Sequence, residues 1–224
     1  MPADFATRLT AEYVQTAKPS ALLADIRGWI EESQPSSLIH PHGFLVLLLH
    51  RSGHEEWRFH VWPQGTRLIS GMPAPIHTHD KVVDSRVLKG ELTNVVYSVA
   101  EVSTGGSPVY EVEYPRDKYD PQATNLLKRT LARVDASVIG ERFVSVGERY
   151  SVPAHVFHQA VVPESVCTCT IVRMYSPAPG PVRVIGIDGY PDTICLQRVK
   201  RSSADMLYAA REWIGSAIYL PELE

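Results

Sequence analysis

Two periodicities divide this chain. Over the first thirty residues apolar positions recur every three or four, as Phe5, Leu9 and Tyr13 and then as Leu22, Ile26 and Ile30. That spacing predicts two amphipathic helices within residues 2–32, broken at Lys18-Pro19-Ser20, with Ser20 as the N-cap of the second. Residues 33–41 are polar and contain Pro35 and Pro41, which predicts a connection. From Gly43 the pattern shortens to β-rich runs at 44–51, 57–62, 82–88, 93–99, 109–114, 131–139, 141–146, 156–163 and 167–175. Turn residues such as Gly53, Gly65, Gly90, Gly105-Gly106 and Gly147 separate them. Many short strands at this spacing predict a sandwich or barrel of antiparallel strands. Beyond Pro181 a short irregular β region leads to a last helix near 204–218. The expected organisation is one domain: a helical extension over 1–42, a barrel over 43–181 and a β/helical extension over 182–224.

Composition adds mainly exclusions. With 44% apolar and 21% charged residues among 224, the chain has ordinary globular make-up. A net charge of −3 gives no basic surface for nucleic acid. The longest apolar run, 43–49, is far short of the roughly 20 residues that cross a bilayer. No basic stretch precedes an apolar one at the N-terminus, so no secretory signal is expected. Cys167, Cys169 and Cys195 are too few for a disulfide scaffold, which fits a reducing cytoplasm. Cys167 and Cys169 share a strand face and are expected to be small buried hydrophobes.

Chemistry concentrates in two stretches. In the first, Gly71 is followed after five residues by His77-Thr78-His79, after four more by Asp84, and later by Gly90. On a strand the two imidazoles point the same way, one pleat apart, and can bind one ion from neighbouring positions. Asp84 offers an oxygen that could complete the site. In the second, Gly147 is followed after five residues by Pro153, then by His155 and His158. His155 and His158 lie three apart and would face opposite sides of a regular strand. His158 is the expected ligand, with His155 in the preceding turn and held as the fallback. His40-Pro41-His42 is another His-x-His, but it sits in a Pro-containing loop without a following acid and is expected at the surface.

The two stretches, in this order, resemble the paired motifs of the cupin superfamily. The resemblance implies an all-β fold, a double-stranded β-helix (jelly-roll) barrel with helices at both ends, and a metal held by His77, His79 and His158. Asp84 stands where most cupins have Glu, and His155 where they have Gly. Trp62 and the run Tyr175-Ser176-Pro177 are similar to the cysteine dioxygenase-like (thiol dioxygenase) cupins. In that family alternate residues of the last barrel strand face the metal, and the matching positions are Ile171, Arg173 and Tyr175. The resemblance implies a mononuclear iron(II) oxygenase using O2 on a small polar, carboxylate-bearing metabolite, with Tyr175 and Arg173 in catalysis. Ile171 and Arg173 differ in kind from the family's residues, which argues against free cysteine as substrate. Mn, Ni, Co and Zn also suit imidazole ligands, and a non-redox isomerase or lyase, or a binding protein, is the alternative. Arg58, His60 and Trp62 share one face of their strand. Either they face inward as substrate-binding residues, or Phe59 and Val61 face the core and Arg58 faces water. A homodimer is compatible with this reading, and no nucleic-acid or membrane partner is expected.

Overall fold

The computed structural model describes residues 3–65, 75–114, 124–197 and 199–210. The N-terminal segment forms three helices rather than two: α1 (Ala3–Arg8), α2 (Ala11–Thr16) and α3 (Pro19–Ser33). The first expected helix is interrupted at Thr10, whose hydroxyl accepts the Tyr13 N–H at 3.1 Å and restarts the helix as its N-cap. Lys18, not Ser20, occupies the N-cap of α3, because Pro19 is pre-set for the first helical position. Leu22, Ile26 and Ile30 are fully buried along one stripe of α3, as their spacing predicts. The C-terminal helix α4 (Ser203–Ala209) is capped by Ser202, and the remainder of the expected 204–218 lies outside the described residues. Among the described residues no helix is long and apolar enough to cross a membrane.

The rest is β. The strands are β1 (Ser37–Ile39), β2 (Leu45–Ser52), β3 (Glu55–Trp62), β4 (Val82–Lys89), β5 (Leu92–Glu101), β6 (Ser107–Glu113), β7 (Thr124–Val144), β8 (Arg149–Val152), β9 (His158–Val161), β10 (Thr168–Tyr175), β11 (Val182–Ile185), β12 (Thr193–Gln197) and β13 (Val199–Arg201). One antiparallel sheet runs β13-β1-β2-β3-β10-β4-β8 and the other β11-β6-β7-β5-β9, with β12 added to β7. The fold is the double-stranded β-helix barrel of the cupin type, with helices laid on one side. Single bridges from His77 to His158 of β9 and to Val184 of β11 link the two edges of the second sheet. β11 therefore belongs to the barrel although it follows Pro181. The runs expected at 131–139 and 141–146 are one strand, because β7 continues through Gly140 with a register shift opposite Val96/Tyr97.

The first sheet is buried on both faces, and this decides what the site is made of. On its outer face Trp57, Phe59, Val61, Cys167, Cys169 and Ile171 pack against the helices. On its inner face Val46, Trp62, Val83, Val87, Val172 and Met174 pack into the barrel. Arg86 reaches out from β4 to accepting carbonyls of Val14 and Ala17 and so ties the end of α2 to the sheet.

The turn from β4 to β5 depends on Gly90, whose φ is +69°, where a side chain is strained. A Cβ there would stand 2.6 Å from the Cys167 carbonyl oxygen, which is backbone and cannot move aside cheaply. Gly90→Ala is therefore expected to lower stability by at least about 1 kcal/mol in urea unfolding. An unchanged midpoint would mean that this turn relaxes freely.

Candidate metal centre

His77, His79 and His158 meet between the two sheets, and one ring nitrogen from each lies within 4.8 Å of the others. The backbone brings them together. The His77 N–H donates to the His158 carbonyl at 3.0 Å and the His158 N–H returns a bond of 2.9 Å. The two residues are thus a directly opposed antiparallel pair, and His79 follows two positions on. His158 is buried, while His77 and His79 are half-buried because they face a cavity of about 500 Å³.

The tautomers can be read from the partners. Nδ1 of His77 lies 2.8 Å from the Pro75 carbonyl, and Nδ1 of His158 lies 2.9 Å from Asn94 Oδ1. Both partners are oxygen acceptors, so each Nδ1 carries the proton and each Nε2 presents a lone pair. The Nε2 atoms of His79 and His158 face each other at 3.0 Å. Two nitrogens bound about 2.1 Å from one ion and about 90° apart stand about 3.0 Å from each other. Donor type, tautomer and spacing all fit a divalent metal. Burial holds His77, His79 and His158 below the ordinary imidazole pKa, and neighbouring imidazoles push His79 and His158 further down, so all three stay in the ligating form.

Asn94 is a residue that sequence reading does not find. It sits on β5 among ordinary strand residues, and only its buried bond to His158 marks it. Asn94→Leu removes the acceptor that fixes His158. Metal affinity is expected to fall about 10–100-fold in chelator competition, with the fold retained. Unchanged affinity would show that packing alone orients the ring.

The strand alternation decides the other candidates. Arg58, His60 and Trp62 face inward and line the cavity, with Phe44, Val83, Tyr150, Val172 and Met174. Phe59 and Val61 are also in a core, since the helices give β3 a second buried face, but Arg58 lines the cavity and does not face bulk water as the alternative requires. Arg58 donates to buried Glu56 at 2.6 Å, and Lys81 donates to the same carboxylate at 2.9 Å. Burial first, and then Arg58, lowers the His60 pKa to about 3.

Arg173 and Tyr175 are placed otherwise than expected. Val172 and Met174 face the cavity, so Ile171, Arg173 and Tyr175 fall on the outer face of β10. Arg173 donates to Glu55 at 2.7 Å and its guanidinium lies 4.4 Å from the Tyr175 ring centroid. Asp84 pairs across the ladder with Arg173 and lies 3.6 Å from Arg149, on the face opposite Val83. It does not reach the histidines. The alternation implied by the thiol dioxygenases is therefore shifted by one residue here, and Ile171 and Arg173, facing away from the cavity, do not bear on cysteine as a substrate. His155 sits in the turn before β9 at φ 62°, its ring packed beside Gly180 rather than in the cavity.

His40 and His42 are the opposite correction. Expected at the surface, both line the cavity, and the His42 ring lies 4.7 Å from that of His77. The His-x-His pattern is the signal in the sequence, but its Pro-containing loop and the lack of a following acid point to the surface, whereas the hairpin folds it inward. Burial, and then neighbouring imidazoles, hold both well below the ordinary pKa.

No family model matches this sequence and no curated protein matches it. Among solved structures the chain resembles an RmlC-like cupin from Shewanella frigidimarina NCIMB 400, at 18% identity and a TM-score of 0.35 over 66% of this chain and 86% of that one. It resembles the DMSP lyase DddQ from Ruegeria pomeroyi DSS-3 at 11% identity and a TM-score of 0.41, over 86% and 75%. It also resembles the hydroquinone 1,2-dioxygenase PnpCD, solved with Cd2+ and 4-hydroxybenzonitrile, at 11% identity and a TM-score of 0.36, over 61% and 66%. These likenesses are weak, and the fold rests on the ladders described above.

Proposed function

We propose that this chain is a mononuclear metal-dependent enzyme, and specifically an iron(II) oxygenase that acts on a small carboxylate-bearing metabolite. The observation that carries the reading is the donor set: three neutral imidazoles, joined at their point of convergence by no carboxylate among the described residues, at the wall of a cavity that also holds Arg58. Imidazoles add no negative charge, so an ion bound there keeps its full attraction for an anionic substrate. Three protein ligands also leave room for substrate and O2 together. When bound, iron(II) would supply the redox chemistry of oxygen.

The chain's own part is binding and orientation. Arg58, held at the cavity wall by its bonds to Glu56, would supply the positive charge that attracts a substrate carboxylate. Phe44 and Trp62, stacked with centroids 4.4 Å apart, form an apolar wall that keeps water from the reacting end. His60 stays neutral near pH 7, a proton donor or acceptor without charge.

Oxygen uptake by iron-loaded protein tests the proposal across thiol-bearing and amine-bearing carboxylic acids. Saturable uptake that ends when the iron is chelated is the expected result. Turnover of the same acids without oxygen would replace the oxygenase by a non-redox lyase or isomerase. Tight ligand binding that survives metal removal would make the chain a binding protein.

A further inference from the structure

The hairpin that joins β1 to β2 is built as a rigid arm. Its ladder pairs Ile39 with Leu45, and the loop between is closed by His40 N–H to the Phe44 carbonyl at 2.7 Å and Gly43 N–H to the His40 carbonyl at 2.8 Å. Gly43 takes φ 82°, the left-handed residue that ends a three-residue hairpin loop. Pro41 stiffens the loop further. The His40 ring stacks on Phe44 at 4.3 Å, and its Nδ1 accepts the backbone N–H of His42 at 3.2 Å.

All of this fixes one side chain. His42 stands at the tip, tilted 59° to the His77 ring and lining the cavity. Its Nε2 is buried and makes no hydrogen bond among the described residues, which is costly for a polar atom unless a ligand completes it. His42 does not belong to the group of nitrogens that converge on one point. A rigid arm, an unsatisfied ring nitrogen and a place beside a ligating imidazole together describe a group that holds what enters the cavity. We propose that His42 is a substrate-holding residue, whose Nε2 hydrogen-bonds the small ligand that enters the cavity beside His77. The inference rests on the metal-centre reading, and it adds to Arg58 a second polar group in the lining of the same cavity. The ligand class that satisfies both is a short molecule with a carboxylate at one end and a hydrogen-bonding, metal-seeking atom at the other.

Cobalt(II)-loaded protein with azide as probe tests this without any turnover. Cobalt is quantified first. Wild type that takes up no cobalt refutes the metal centre itself, apart from any role of His42. With cobalt bound, azide is titrated by its visible spectrum into wild type, His42→Phe and His42→Gln. His42→Phe keeps a ring against His77 but has no polar atom, and His42→Gln restores a donor and an acceptor. The expected result is full cobalt content in all three, an azide Kd raised about tenfold or more in His42→Phe, and partial recovery in His42→Gln. Equal azide affinity in wild type and His42→Phe overturns the proposal. So does a wild type that holds cobalt yet shows no azide response, and so does loss of cobalt from His42→Phe, which would make His42 part of the metal's own support.

Discussion

His79→Ala is expected to purify without stoichiometric metal, and His77→Ala and His158→Ala likewise. Each substitution removes one of three donors from a set with no described carboxylate to replace it. The loss should exceed the 10–100-fold typical for residues that only orient a ligand. His155→Ala and Asp84→Asn are the controls, because His155 packs beside Gly180 and Asp84 faces Arg149. Elemental analysis after dialysis reads the result directly. Equal metal loss from the His155 and His158 variants would remove His158 from its place in the centre.

The second large effect is on stability in acid. Six imidazoles, those of His40, His42, His60, His77, His79 and His158, are pushed below the ordinary pKa of 6.5 chiefly by burial. Such a group binds its proton more readily in the unfolded chain, so stability rises with pH. The contribution is complete above pH 6.5 and is lost as pH falls toward the folded value, which for His60 is about 3. A group whose folded pKa is lowered adds a slope of at most about 1.4 kcal/mol per pH unit within its window, and the imidazoles that repel one another share rather than multiply that effect. Stability is therefore expected to fall progressively as pH drops below 6.5, a large effect for a domain whose total is about 5–15 kcal/mol. Urea midpoints of metal-free protein from pH 7.5 down to about 5 measure this. Bound metal competes with the protons and should move the transition to lower pH. A flat stability profile across that range would mean that the imidazoles stay hydrated and the cavity is wet.

Some of this molecule could be read from its sequence and some could not, for definite reasons. The β-rich runs, the stripe of α3 and the histidines at 77, 79 and 158 follow from local pattern, since spacing along one strand or helix fixes which side chains share a face. The inner face of β3 could not be decided. Alternation shows that Arg58, His60 and Trp62 stand together, but not that α1–α3 cover the other face. β10 failed for the same reason: an apolar strand buried on both sides carries no polar alternation, so a family comparison set its phase one residue off. Asn94 and His42 depend on partners 64 and 35 residues away in the chain, at His158 and His77, and no local signal encodes such contacts.

The ladder between β1 and β13 also bears on the order in which the molecule is made. Ser37 pairs with Arg201 and Ile39 with Val199, so the strand leading into the His42 hairpin waits for almost the whole chain before its outer edge is covered. His77 likewise waits for His158. Contacts this distant close late, after the local helices and hairpins. During synthesis the nascent chain therefore displays the His77–His79 pair long before His158 is made to join it. The complete three-imidazole cluster belongs to the finished chain, so a metal that needs all three donors would be taken up only after His158 has docked.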